Sequence, residues 1–98
     1  MVQRLLRSRM SRFRACYERG LKRDASLRGQ VMLSFVIQLD GRVASAESVP
    51  KSKAQPNGTD VGDASVVSCV VRALQGITFP RPNGDQLVKA KARIALRP

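Results

Sequence analysis

Residues 31–49 read VMLSFVIQLDGRVASAESV, and the reading of this stretch decides the fold. Val31, Leu33, Phe35, Ile37 and Leu39 alternate with Met32, Ser34, Val36 and Gln38, the period of a strand that buries one face. Asp40-Gly41 can supply the positive φ angles of a tight turn, and RVASAESV returns as a second strand. The spacing predicts a β-hairpin over about residues 30–49.

Upstream, Val2, Leu5, Leu6, Met10, Phe13, Cys16 and Tyr17 share one face of a helical wheel, with Arg4, Arg7, Arg12, Arg14, Arg19 and Lys22 on the other. An amphipathic helix is expected over about residues 2–20. Arg9 falls inside its apolar face, with its stem expected to pack along the edge. Downstream, PKSKAQPNGTDVGD (50–63) has the prolines, glycines and lack of period of a loop. Asp63 is placed to cap a second helix over about 64–76, whose Val66, Val67, Val70, Val71, Leu74 and Ile77 recur at helical spacing. Gly76 is placed to stop it. After the FPRPNG turn, Val88, Ala90, Ala92, Ile94 and Leu96 alternate with Lys89, Lys91 and Arg93, predicting a strand over about 86–96 with one apolar and one cationic face. The order helix, strand, strand, helix, strand predicts an α+β fold: a small antiparallel three-stranded sheet with two helices on one face.

A chain of 98 residues holds one core, so residues 1–98 form a single domain. At 43% hydrophobic and 26% charged it is too apolar for a disordered tail. No apolar stretch approaches the roughly 20 residues needed to cross a bilayer. The arginines scattered through MVQRLLRSRMSRFRACYERG leave no apolar run for a secretory signal. A role outside the cytoplasm would therefore make this domain a piece of a longer anchored or exported chain. The net charge is +11, and it is polarised: residues 1–28 hold nine Lys/Arg against Glu18 and Asp24, and the central third is close to neutral. Such charge implies an anionic partner or surface.

The chain has no histidine, the commonest general base and metal ligand, and no phosphate-cradling glycine motif. Five of its seven carboxylates, Asp24, Asp40, Asp60, Asp63 and Asp85, fall in turns or loop ends, where aspartate has structural uses. The reading is therefore non-enzymatic, with no catalytic residue, cofactor, metal or small-molecule substrate. Cys16 and Cys69 admit two readings, a disulfide worth roughly 4 kcal/mol in the chain-entropy model, or two buried thiols packed as small hydrophobes. The last strand, with Leu87, Lys89, Lys91 and Arg93, would leave unpaired backbone groups at a sheet edge that could accept a strand from a partner. Its lysines could equally be gatekeepers against pairing.

The run Cys16-Tyr17-Glu18-Arg19-Gly20-Leu21, then Gly29-x-Val31, Phe35-x-Ile37 and Asp40-Gly41-Arg42-Val43, followed by Cys69-Val70 and Phe79-Pro80, resembles the AgmX/PglI carboxy-terminal domain, a branch of the TonB carboxy-terminal family. The resemblance covers roughly residues 5–96; NGDQLVKAKARIAL departs from the glycine pair and Tyr-Pro usual near the family's last strand. It implies the same element order and a Cys16–Cys69 disulfide. It also implies a periplasmic module of an inner-membrane-anchored protein, coupling a transport or gliding-motility machine to a protein partner in the periplasm or at the outer membrane by edge-strand pairing; the basic surface charge favours an acidic partner. Nucleic acid is not the expected partner. The rival reading is a binder of anionic polymers (nucleic acid, lipopolysaccharide or cell-wall polymer) on the cationic face of the first helix.

Overall fold

In the computed structural model, which describes residues 8–80 and 87–97, the predicted order is the observed one: α1 (Met10–Leu21), β1 (Gly29–Ile37), β2 (Val43–Ser48), α2 (Ala64–Gln75) and β3 (Val88–Leu96). The strands form one antiparallel sheet in the order β2-β1-β3. Odd-numbered residues of β1, from Val31 to Ile37, face the helices with Ala92, Ile94 and Leu96 of β3 beside them, and all are buried. Phe13, Cys16, Tyr17 and Gly20 of α1 and Val66, Val70 and Leu74 of α2 close the core from the other side. No helix among the described residues is long and apolar enough to cross a membrane.

The observed helix starts at Met10, later than the expected start near residue 2; the expected helix residues Val2, Leu5, Leu6, Arg4 and Arg7 lie outside the described residues. Arg9 is the exposed residue at the N-cap position, just before the first turn. The helix ends at Leu21, one residue past Gly20, close to the expected end. Gly20 lies in the last turn, where a Cβ would stand 2.5 Å from both Leu27 Cδ2 and Val66 Cγ2, so its lack of a side chain lets α1 approach α2. Beyond it the Tyr17 hydroxyl donates to the Leu27 carbonyl, satisfying the only polar atom of a ring otherwise buried in the core.

β1 stops at Ile37, and Leu39, expected on the buried face, is exposed in the turn. The pairing of β1 with β2 shifts register between Val36 and Ile37, with Ala44 the extra residue of β2, and Leu39 falls inside the turn that Gly41 N–H closes on Gln38 O at 2.9 Å and Gln38 N–H on Arg42 O at 2.7 Å. Gly41 turns the chain with φ +89°, and a Cβ there would fall on the Phe79 carbonyl oxygen. Residues 78–79 approach so closely because they pair with the turn, Thr78 bridging Arg42 and Phe79 N–H donating to Gly41 O at 2.8 Å. Gly41→Ala should therefore destabilise by at least about 1 kcal/mol in a urea titration, since alanine meets both an unfavourable φ and a backbone atom. A neutral result would mean that the turn and residues 78–79 are not in contact.

α2 starts where Asp63 accepts from Ser65 N–H and Val66 N–H, the predicted cap. It ends at Gly76, whose φ of −84° is right-handed; its N–H reaches the Arg72 and Ala73 carbonyls without the left-handed cap expected of a terminal glycine. The Arg23 guanidinium donates to Asp63 at 2.8 Å, tying the end of α1 to the start of α2. This bond, first, and then the Val66 and Ser65 amides and the Arg23 charge hold the Asp63 carboxyl below its ordinary 3.8, against desolvation that raises it. Asp24 is held below 3.8 chiefly by the Ser26 hydroxyl and N–H. Both stabilise the fold fully above that ordinary value and lose their contribution as pH falls through their lowered folded values. The melting temperature should therefore drop on acidification below about pH 4. Asp24→Asn with Asp63→Asn should flatten that acid limb; an unchanged slope would assign it to other carboxylates.

Candidate functional site

Cys16 and Cys69 are joined, with S–S 2.02 Å and Cα–Cα 5.6 Å, so the domain is disulfide-bonded and no described cysteine is free. The pairing follows from the helix faces. Cys16 lies among the core residues of α1, and Cys69 lies beside the apolar stripe of α2, half-buried on the side that meets α1.

β3 is an edge strand, because β1 is the centre of the sheet and no described strand lies on the outer side of β3. The backbone on that side can be assigned from β1. Met32 N–H donates to Thr59 Oγ1 and its carbonyl accepts from Val49 N–H, while the Gln30 carbonyl accepts from Asp60 N–H, all on the β2 side. Backbone groups of alternate residues point to opposite edges of a strand. The groups of Val31, Leu33, Phe35 and Ile37 therefore turn toward β3, where their partners are Ile94, Ala92, Ala90 and Val88. The N–H and C=O groups of Lys89, Lys91, Arg93 and Ala95 consequently point outward from the sheet.

The side chains of these same residues stand on the open face of the sheet, opposite the helices. Across the register Lys89 lies beside Val36, Lys91 beside Ser34 and Arg93 beside Met32. All three cations are exposed, and none forms an ion pair with a described carboxylate. Leu87, expected in the strand, precedes it and is 58% exposed; residue 86 lies outside the described residues. Val88 starts the strand beside Ile37 and is 38% exposed.

Beyond Arg93 an open cleft of about 630 Å³ is lined by Arg28, Arg93, Arg97 and Asp60. Arg97 continues the two-residue spacing of the cationic row. Arg28 had no signal in the sequence, because only the antiparallel pairing of Gly29 with Leu96 brings the entry of β1 to the exit of β3. Asp60 in the cleft wall is occupied in accepting from Gln30 N–H at 2.7 Å.

Of the expected polyanion-binding residues, Arg12, Arg14, Arg19 and Lys22 are exposed on the helix layer, away from the cationic row of the sheet. The Arg12 guanidinium lies beside Gly76, at the carbonyl end of α2, where a cation is favoured structurally. The structure thus separates the predicted cations into two surfaces, and only the β3 row is combined with unpaired backbone groups. Among the described residues no group of three or more Cys, Asp or Glu side chains is placed to hold a metal ion. Comparison with family models, with curated proteins and with solved structures finds no match to the chain.

Proposed function

We propose that this domain is a non-enzymatic protein-interaction module that binds a partner by adding a strand to the free edge of β3. The outward-facing backbone groups of Lys89, Lys91, Arg93 and Ala95 carry this reading, since a nine-residue edge is long enough to hold an extended segment by main-chain hydrogen bonds. The other edge is less available: β2 has six residues, and its start is already bridged through Arg42 to Thr78. The disulfide fits an oxidising compartment, and we place the domain in the periplasm as part of an inner-membrane-anchored protein. There it couples a TonB-like or gliding-motility transport machine to a periplasmic or outer-membrane protein, as the sequence resemblance implies, and the exposed cations of β3 favour an acidic one.

Lys91→Pro tests the edge. Proline removes an outward N–H without touching the ladder to β1, a position where edge strands tolerate it. Introduced into the intact parent protein, it should leave the Cys16–Cys69 link and the fold in place while abolishing partner binding. Unchanged binding with an intact fold would rule out edge pairing. The exposed row Arg12, Arg14, Arg19 and Lys22 supports the second reading, a polyanion-binding surface on α1. Its signature is affinity for single-stranded DNA or lipopolysaccharide that falls steeply between 50 and 200 mM salt; a flat response disposes of it.

A further inference from the structure

The side chains of β3 specify what kind of strand its edge can receive. In a paired strand the residues opposite Lys89, Lys91 and Arg93 stand on the same open face, with Cβ atoms roughly 5 Å away. Like charges directly opposite are destabilising there, and opposite charges are favourable. The nearest acid in the sheet on that face is Glu47, which pairs with Ser34 and so lies two strands from Lys91, about 10 Å across the sheet. No described carboxylate forms an ion pair with the row, although Glu47 lines a pocket with Lys89 and Asp60 lines the cleft with Arg93, so the charges of the row stay available to a partner. The members of the row recur every second residue, roughly 7 Å apart, which is the repeat of alternate side chains in any extended peptide.

The same geometry disfavours a second copy of β3. Two such strands pairing antiparallel about Lys91 would set Lys91 against Lys91 and Lys89 against Arg93, three like-charge contacts on one face. The gatekeeper and docking roles of these residues are therefore compatible: they reject the chain itself and all basic strands, and they leave acidic strands as the favoured class. On the helix side Val88 is partly exposed, Ala90 is half-buried, and Leu87 stands exposed just before them. Among the described residues the exposed large hydrophobics are Leu39, Leu87 and Val88, so two of three adjoin this edge. An added strand would place its other row of side chains beside Val88, Ala90 and Ala92, where apolar groups are covered and carboxylates are not compensated.

We propose that the partner segment is an extended peptide in which acidic and apolar residues alternate, the acidic ones beside Lys89, Lys91 and Arg93 and the apolar ones beside Val88, Ala90 and Ala92. The proposal rests on the edge-pairing reading and adds the sequence class of the segment. Alternation also sets the register, because a slip of one residue would send every carboxylate to the helix side. At the Arg93 end, the cleft with Arg28 and Arg97 extends the positive surface past the strand.

Amide hydrogen exchange on the 98-residue chain, read residue by residue by NMR, tests this with four probes. These are nine-residue peptides alternating Glu with Val, alternating Lys with Val, and carrying the same Glu and Val residues in two separate blocks, together with a single-stranded oligothymidylate. The Glu/Val alternating peptide should slow exchange at Lys89, Lys91 and Arg93 and bind about tenfold more tightly than the Lys/Val peptide. Lys89→Glu with Lys91→Glu and Arg93→Glu should reverse that preference, with the slow amides of Ala90, Ala92 and Ile94 showing that the variant keeps its ladder to β1. Equal binding and protection by both alternating peptides would overturn the acidic rule while leaving edge pairing intact. Equal binding by the blocked peptide would overturn the alternation. If no peptide protects these three amides, edge pairing itself fails and the proposal with it. Tight binding of the oligothymidylate without such protection would replace both by polyanion binding.

Discussion

Replacing both Cys16 and Cys69 by Ala is expected to lower the unfolding free energy by about 4 kcal/mol, because the bond closes a loop with a sequence separation of 53 in the unfolded chain. In a domain of this size that corresponds to a fall in melting temperature of about 20 °C. The two thiols contribute differently to the remainder. Cys16 is 3% exposed in the core, so its truncation also leaves a small void, whereas Cys69 is half-buried and its site can relax. Chemical reduction of the wild-type protein should reproduce most of the loss without the void. The link joins α1 to α2, and α1 has neither a side-chain cap nor an acidic residue in its first turn to hold it independently. α1 is therefore the element expected to lose exchange protection first when the bond is cut. A loss below about 1 kcal/mol in both the double variant and the reduced protein would mean that the helix layer is held by packing alone.

Phe79→Ala is expected to cost about 3–5 kcal/mol, as large as the disulfide. Phe79 is 4% exposed and stacks on Phe35 of the central strand, with ring centroids 5.7 Å apart and an interplanar angle of 22°. Its backbone also holds the hairpin turn through Gly41. The side chain therefore joins three parts of the fold: the stretch after α2, the middle of β1 and the turn after it. Phe79→Leu, which keeps most of the volume and loses the ring contact, should cost substantially less. Urea titrations of both variants check this; equal and small effects would mean that residues 77–79 are a loose connection and not a fixed element.

Those residues also show where the sequence stops being legible. FPRPNG has the composition of a turn, and composition carries no information about which side chain a turn inserts into the core. Phe79 is buried because the chain leaving α2 must cross the hairpin, a fact of topology. Leu39 fails in the opposite sense. It continues the alternation of β1 in the sequence, but the turn closed between Gln38 and Arg42 takes it out of the strand. Gly20 and Gly76 lie at the helix ends as expected, but that Gly20 is required by the approach of Leu27 and Val66, and that Gly76 caps without a left-handed φ, was not legible. For Phe79 and Gly20 the deciding neighbours are distant in sequence; for Leu39 and Gly76 the local hydrogen bonding takes a form that composition does not specify.

The candidate site divides in the same way. The sequence by itself determined the element order, the inward and outward rows of β1 and β3, the Asp63 cap and the cationic spacing of Lys89, Lys91 and Arg93. Period and capping are properties of neighbouring residues, and they survive in a linear string. Only the tertiary structure decided that Cys16 and Cys69 meet, that β1 lies in the centre and leaves β3 at an edge, that the backbone groups of Lys89, Lys91 and Arg93 point outward, and that Arg28 joins Arg93 and Arg97 at one cleft. Each of these depends on which strands and helices lie side by side, and that is set by burying all the apolar faces at once, a condition on the whole chain that no single segment contains.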